Sequence, residues 1–395
     1  MADNGTQEKK GGARRNIFFV GLVSFFNDFS SEMIYPLLPF FLTTVLKAGA
    51  ASLGVIEGVA ETTASVLKFF SGYWSDKYKR RKPIFVAGYT LSNVVRPLIG
   101  AAGGWWHVLL LRFADRIGKG IRTAPRDALV ADSVSERQRG LAFGFQRAMD
   151  NAGAILGPLA AALILPLVHN NLKTLFFLSA IPGIVVLIIV FFFVREVKPK
   201  KVAERLSLRG GLKDMDANFK YYLFVVLLFT LGNSSDAFLL LKATDAGIPV
   251  VQIPILWIVL SFVKATTSIP GGSLSDRIGR RRVIIAGWGV YAAIYLAFAF
   301  TAHATGIWVL FALYGVYFGL TEGTERALVA DLVPQDRRGT AYGLYNLMIG
   351  IAAFPASVIF GLIWQYVGSQ YAFMMGAGFA LLASIMLLFV RTKRS

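Results

Sequence analysis

The sequence predicts an all-α membrane protein of 12 transmembrane helices, arranged as two pseudo-symmetric six-helix bundles. Three observations carry that expectation. Of 395 residues, 55% are hydrophobic and only 16% charged, whereas a soluble domain sits near one-quarter charged. Apolar runs long enough to cross a bilayer, about 20 residues each, follow one another along the chain. And one basic stretch occurs twice: Gly72-Tyr-Trp-Ser-Asp76-Lys-Tyr-Lys-Arg80-Arg81-Lys82 returns as Gly272-Ser-Leu-Ser-Asp276-Arg-Ile-Gly-Arg280-Arg281-Arg282, 200 residues later.

The apolar runs fall at 16–45, 50–74, 83–103, 105–132, 140–168, 173–195, 219–243, 250–274, 282–303, 306–332, 339–367 and 370–391. Several exceed the bilayer thickness, so tilted or protruding helices are expected. The net charge of +18 is not that of a nucleic-acid binder, because lysine and arginine cluster in short turns between apolar runs. They fill the even-numbered turns, the 195–220 segment and the Arg391-Thr-Lys393-Arg394 end, and leave the opposite turns with little beyond Lys47, Lys173 and Lys242. That asymmetry places both termini in the cytoplasm; the expected location is a bacterial inner membrane. The expected organisation is a disordered tail at 1–15, a six-helix bundle at 16–195, a polar linker at 196–218, a second bundle at 219–391 and a tail at 392–395. Residues 1–15 are not a cleavable signal peptide, since the run behind them is too long and contains Asp28 and Glu32. Cysteine is absent, which removes a disulfide framework, a thiol nucleophile and a cysteine metal site.

The repeat extends beyond the loop. Ala128-Leu-Val-Ala-Asp132 matches Ala327-Leu-Val-Ala-Asp331, Arg139-Gly140 matches Arg338-Gly339, and Ala142-Phe-Gly144 matches Ala341-Tyr-Gly343, all 199 residues apart. Helices four and five therefore correspond to ten and eleven, the pattern of a carrier built from two parallel halves. In the loops, the glycine is read as allowing close helix approach and the aspartate as pairing with arginine at a helix end. The alternative is a basic anchor that only sets topology.

On these residues the sequence resembles the major facilitator superfamily over 16–391. The double loop is similar to that superfamily's motif after helices two and eight, which implies a gating role for Gly72, Asp76, Arg80 and Arg81 and for Gly272, Asp276, Arg280 and Arg281. Arg112-Phe-Ala-Asp115-Arg116-Ile-Gly118-Lys119-Gly120 resembles its fourth-helix arginine motif, which implies a place for Arg112 near a proton site. It departs from that motif at 115, 116 and 119, where glutamine and small residues are more usual. Gly153-x-x-x-Gly157-Pro158 resembles the fifth-helix motif of drug and metabolite exporters, although Ala160-Ala161 replaces the following glycine pair. The resemblance implies secondary transport by alternating access, and no motif identifies the substrate.

Ionisable groups at bilayer depth cost about 2.5–3.5 kcal/mol each on the insertion scale, so they face a cavity or a partner. Asp28 and Glu32, four apart, share a helix face. Two adjacent carboxylates removed from water resist joint ionisation, as proton coupling requires. The alternatives are a structural pair with Lys68 or Arg147, and divalent-cation coordination, although no histidine or cysteine lies nearby. In helix two, Glu57 is expected at an outer vestibule, Glu61 is a cavity candidate and Lys68 an internal salt-bridge partner. Arg96, beside Asn93, contacts substrate or pairs with Glu57 or Glu61. Arg112, Asp115 or Arg116, Lys119, Arg122 and Arg126 form a stripe on helix four, absent from the equivalent Phe311, Gly315, Phe318, Thr321 and Glu325. This basic ladder either draws an anionic substrate or pairs internally with Asp115, Asp127, Asp132 and Asp150. Further candidate substrate contacts are Arg147, Asp150, Asn233, Asp236, Glu322, Glu325 and Asn346. Helix seven is expected to break at Asn233-Ser-Ser-Asp236. The aromatics of the second half are expected mostly to pack, with a few forming an apolar wall.

No Ser/His/Asp set and no phosphate-cradling glycine loop is evident, so an enzyme or an ATP-driven pump is not expected, and neither is a cofactor or a resident metal. The expected function is a proton-coupled exporter of a small amphipathic or anionic organic molecule, acting as a monomer in the lipid bilayer. The alternatives are a divalent metal-ion or metal-chelate carrier and, from another class, a channel or a non-transporting sensor.

Overall fold

The computed structural model describes residues 2–78, 81–134, 138–197, 212 and 215–392, without the side chains of 2–14, 69, 72–78 and 336. Lipid offers backbone N–H and C=O groups no partner, so a single spanning segment must satisfy them internally, as a helix does. Every regular element among the described residues is helical. α1 (Ala2–Ile34) is continued by tight and wide turns to Val45. There follow α2 (Ala50–Tyr78), α3 (Lys82–Val95, extended by Pro97–Ala101), α4 (Trp105–Ser133) and α5 (Arg139–Leu167). α6 comprises Leu172–Leu178, Ala180–Ile188 and Ile189–Phe193. In α7 the helix Ala217–Gly232 breaks at 233–236 and resumes at Ala237–Asp245. The chain ends with α8 (Ile253–Ile278), α9 (Arg280–Phe300), α10 (Ala304–Leu332), α11 (Arg338–Tyr366) and α12 (Ser369–Leu387).

Ten of these segments, among the described residues, are long and apolar enough to cross a membrane. α2 and α4 are as long, at 29 residues each, and ionisable side chains interrupt their apolar runs. Local signals set the ends. Asn171 caps α6 by accepting from Thr174 N at 3.2 Å, and Asp216 caps α7 through Asn218 N at 3.1 Å, each satisfying an orphan helical N–H. Gly279, at φ +94°, turns α8 directly into α9, a conformation that favours glycine. One expectation is corrected. Residues 2–15 are not an unstructured tail but the first turns of α1, and Glu8, Lys9, Lys10 and Ala13 are good helix formers.

The chain divides into two compact units, Met1–Tyr35 with Val66–Arg205, and Pro36–Ser65 with Leu206–Ser395. The sequence placed 36–65 in the first bundle, yet this segment packs on the second unit. A Cβ on Gly58 would lie 3.0 Å from the Phe354 carbonyl oxygen, one on Gly54 would lie 3.1 Å from the Ser357 carbonyl carbon, and Thr62 donates to Gly350 O at 2.6 Å. Small residues let two helix backbones touch. Glu57 is carried along with them. It is not exposed at a vestibule but fully buried, and accepts a hydrogen bond from Ser235 Oγ at 3.2 Å. Most of the expected linker 196–218 lies outside the described residues.

The two units repeat one packing scheme. In the first, α1 packs on α5 and α6, and α3 packs on α4 and α6; in the second, α7 packs on α11 and α12, and α9 packs on α10 and α12. Single crossings repeat too. Ser71 Oγ donates to Gly120 O at 3.0 Å where α2 meets α4; at the equivalent crossing of α8 and α10, a Cβ on Gly271 would lie 3.0 Å from the Gly319 carbonyl carbon.

The α1–α5 crossing rests on Gly153 and Gly157. A Cβ on Gly157 would lie 3.1 Å from Met33 N, and one on Gly153 3.0 Å from Phe29 N, whereas Gly144 on the same helix has nothing within 4 Å. Gly157→Ala is therefore expected to destabilise the protein by about 1–3 kcal/mol through overpacking against backbone, and Gly144→Ala to be neutral or stabilising by helix propensity. Thermal unfolding of the two detergent-purified variants, side by side, checks the contrast; equal melting temperatures would refute it.

Candidate functional site

The charged layer of the first unit is built where α3 and α4 touch. A Cβ on Gly88 would lie 2.7 Å from Gly118 O, so larger residues there would separate the helices. This approach brings Ser92 Oγ to donate to Asp115 O at 3.0 Å and faces Arg96 to Asp115. Arg96 Nη2 meets Asp115 Oδ1 at 3.1 Å, and Arg112 Nη1 lies 3.9 Å from Asp115 Oδ2, with all three side chains at most 8% exposed. Arg96 also donates to Asn27 O at 3.2 Å and Asn93 Oδ1 at 3.3 Å. The expected pairing of Arg96 with Glu57 or Glu61 is corrected. Its counter-ion is Asp115, one helix away, and Glu57 belongs to the other unit. Arg112 also lies over the Tyr35 ring, 5.4 Å from its centroid.

The basic ladder of α4 does not act as one stripe. Arg112, Arg116 and Arg122 are buried, while Lys119 is exposed. Arg126 pairs with Asp127 at 3.1 Å and Asp150 at 3.6 Å and donates to Ser24 Oγ at 3.4 Å. The Gln146 amide, turned so that both its ends are satisfied, accepts from Arg126 Nε at 2.7 Å. Internal pairing thus accounts for Arg126. Arg122 differs: it donates to Ser92 Oγ and its guanidinium carbon stands 4.5 Å from the Tyr89 ring centroid. Arg147 is exposed, on another face of α5 from the buried Gln146.

Asp28 sits at the α1–α5 crossing, its Cβ 3.2 Å from where a Cβ on Gly153 would be. It accepts from Asn27 Nδ2 at 3.0 Å, and among the described residues no lysine or arginine nitrogen lies within 4.0 Å of it. Glu32, one turn on, lies 3.5 Å from Ser31 Oγ. Both carboxylates are half-buried.

In the second unit the polar groups sit among aromatic rings. Glu325 accepts from Trp288 Nε1 at 2.8 Å and from Tyr345 Oη at 2.7 Å; Trp288 stacks on Phe229 with centroids 4.2 Å apart. Asp236, at the break in α7, accepts from Tyr314 Oη at 2.7 Å. Asn233, at the same break, lies 3.4 Å from Tyr291 Oη. Glu322 pairs with Lys264 at 2.8 Å and with Arg326 at 3.9 Å. Asn346 turns its amide to Tyr342 O of its own helix at 2.7 Å. Glu61 is half-buried within 36–65. The sequence did not single out Tyr89, Asn27 or Trp288 as site residues, and it offered Asp115 as an internal partner of the ladder without linking it to Arg96. The repeat held a signal for two of them: Gly88-Tyr89 and Gly287-Trp288 stand 199 residues apart, each glycine facing helix α4 or α10.

Of the first basic loop, Arg80 lies outside the described residues, as do the side chain of Asp76 and the surroundings of Gly72. Arg81 meets Asp132 at 2.9 Å. In the second loop Arg280 lies 3.6 Å from Asp276 and closer, at 2.9 Å, to Asp331, while Arg281 donates to Val390 O at 2.9 Å. The aspartate ending each Ala-Leu-Val-Ala-Asp stretch therefore holds an arginine in both units. Gly272 is corrected as a site of close approach: a Cβ there meets nothing within 4 Å, and its neighbour Gly271 makes the crossing instead. Among the described residues no group of three or more His, Cys, Asp or Glu could hold a metal ion.

Asp115 is the test of this arrangement. Asp115→Asn strips Arg96 and Arg112 of their shared carboxylate and is expected to cost about 3–5 kcal/mol, the penalty of an uncompensated buried charge. Replacing Arg96 and Asp115 together by Met and Leu is expected to recover much of that. Unfolding midpoints in detergent compare the two; an Asp115→Asn protein as stable as the parent would show the pairing to be energetically idle.

The Major Facilitator Superfamily profile matches residues 20–356 and 222–395. An uncharacterised MFS-type transporter of Methanocaldococcus jannaschii is 37% identical over 382 residues, 95% of this chain and 95% of that one. The multidrug resistance protein MdtG of Salmonella arizonae is 26% identical over 294 residues, 69% of each chain. Among solved structures, a POT family transporter in complex with 5-aminolevulinic acid superposes with a TM-score of 0.80 at 12% identity, covering 95% of this chain and 96% of that one; that likeness is one of fold. The protein is an integral membrane transporter of a small molecule and not an enzyme. By its profile match and by a relative that spans nearly its whole length, this chain belongs to the major facilitator superfamily.

Proposed function

We propose that this chain is a proton-coupled secondary transporter that exports a small amphipathic or anionic organic molecule by alternating access. The observation that carries the proposal is the company kept by its span carboxylates. Asp28 is held by an asparagine amide, Asp236 by a tyrosine hydroxyl and Glu325 by an indole and a tyrosine hydroxyl. A carboxylate held by neutral donors takes up or releases a proton without breaking an ion pair, and an ionisable group within a span is functional by default. In this reading Asp28 and Glu32 carry the coupling proton, and Arg112 tunes them through the Asp115 layer. The arginines bound to Asp132 and Asp331 act as latches of the two basic loops, and the Gly153–Gly157 crossing, with Pro158 beside it, is a pivot. The aromatic surroundings of Asp236 and Glu325 suit the apolar part of an amphipathic molecule. Export is supported by the likeness to a protein named for multidrug resistance. Both termini are placed in the cytoplasm from the lysine and arginine counts of the turns, and the protein is taken to work as a monomer in a bacterial inner membrane.

The test is flux in proteoliposomes carrying an imposed pH gradient, with ethidium and benzoate as amphipathic cationic and anionic probes. Accumulation of at least one probe is expected to follow the gradient and to collapse with a protonophore. Asp28→Asn is expected to lower gradient-driven accumulation about tenfold or more, the scale of a lost proton-transfer group, while leaving exchange of probe across the membrane without a gradient. Flux indifferent to pH in the parent, or gradient-driven accumulation undiminished in Asp28→Asn, would remove the proton from the mechanism.

A further inference from the structure

Arg122 differs from its neighbours in the charged layer. Arg96 and Arg112 face Asp115, and Arg126 faces Asp127 and Asp150. Among the described residues no carboxylate oxygen comes within 4.0 Å of Arg122, although its relative exposure is 6%. Its partners are neutral: Ser92 Oγ, which accepts one N–H, and the face of Tyr89. A guanidinium carries five N–H donors in a rigid fork, and a buried charge without a counter-ion is costly. The same ring supplies a second, independent observation. The Tyr89 hydroxyl is fully buried and has no hydrogen-bond partner, whereas buried tyrosine hydroxyls are ordinarily paired.

The repeat separates function from packing here. Arg122 lies against Gly88, and its equivalent Thr321 lies against Gly287. Thr321 satisfies its hydroxyl on its own helix, at Tyr317 O, 3.0 Å away. The helix crossing is therefore made in the second unit with a small neutral residue, and packing alone does not call for a guanidinium. Cation and hydroxyl donor together match an oxyanion. Arginine grips carboxylate and phosphate oxygens through parallel N–H bonds, and a tyrosine O–H adds a charge-assisted bond.

We propose that Arg122 and the Tyr89 hydroxyl form the binding point for an anionic group, a carboxylate or a phosphate, of the transported molecule. This deepens the function proposed above and rests on the chain being a carrier of a small organic molecule. Arg126, held by Asp127 and Asp150, is not part of the grip.

The experiment measures thermal unfolding of the full-length protein in an uncharged detergent, with benzoate against benzamide and phenyl phosphate against phenol. At least one anion is expected to raise the melting temperature where its neutral analogue does not, as binding to the folded state must. Arg122→Gln is expected to abolish that selectivity. Tyr89→Phe, which keeps the stacked ring, is expected to raise the half-saturating concentration about tenfold, the loss of one hydrogen bond to a charged group. Should Arg122→Gln fail to fold, Arg122→Lys and Tyr89→Phe decide. A parent that does not distinguish anion from neutral analogue, or selectivity that survives in Arg122→Gln or is unchanged in Tyr89→Phe, overturns the proposal. A lipid headgroup offers the same phosphate chemistry. The measurement is therefore repeated in nanodiscs of phosphatidylcholine with and without phosphatidylglycerol. Loss of the anion response with phosphatidylglycerol would assign the site to lipid and overturn a role in cargo recognition; an unchanged response supports it. Binding at equilibrium needs no gradient, so its failure is distinguishable from failure of proton coupling in the vesicle assay.

Discussion

A buried carboxylate facing two guanidiniums organises the first unit. Asp115 lies between Arg96 and Arg112, with all three side chains at most 8% exposed. Inside a bilayer these charges have little recourse to water, so their attraction and their hydrogen bonds must offset a desolvation cost of several kcal/mol per ion. Neighbouring features serve that end. Gly88 and Gly118 bring α3 and α4 into backbone contact, Ser92 bonds the Asp115 carbonyl, and the Asn27 carbonyl and the Asn93 side chain accept from Arg96 Nη1.

The second unit meets the same geometric problem with different chemistry. At equivalent positions Tyr89 becomes Trp288, Arg122 becomes Thr321 and Arg126 becomes Glu325. Where α3 and α4 of the first unit balance ion against ion, the second unit surrounds Asp236 and Glu325 with indole and phenol donors, and Phe229 stacks on Trp288 and meets Tyr291 edge-on, Tyr291 in turn stacking on Tyr295. Duplication preserved the helix crossings, at Ser71–Gly120 and Gly271–Gly319, and left the polar interior free to diverge. A helix crossing depends on residue size, which is locally constrained. Charge depends only on finding a partner, and many partners serve.

Apolar run length, turn chemistry and repetition are properties of neighbouring residues, and they were legible. The helical segments, the break in α7 at 233–236 and the correspondence of α4 with α10 all follow from them. Partner choice was not legible. Arg96 had two acidic candidates in helix two, Glu57 and Glu61, and meets neither; its partner Asp115 is set by the α3–α4 contact at Gly88, a glycine without any motif around it. Glu57 reads as a charge near a helix end, and it is buried because Gly54 and Gly58 let its segment settle against α11. In the second loop the sequence pattern singles out Gly272, yet Gly271 makes the contact; a one-residue difference turns a helix face by about 100°, which follows from 3.6 residues per turn.

Composition and periodicity alone were enough to establish a membrane-spanning, all-helical, internally duplicated chain, because lipid leaves the backbone no other way to satisfy its hydrogen bonds. Which charges neutralise one another waited on the packing of helices distant in sequence: Arg126 closing on Asp150, and Arg122 left on a serine and an aromatic face. Electrostatic partnership is a matter of a few ångströms, and distances of that size arise only when whole helices have docked.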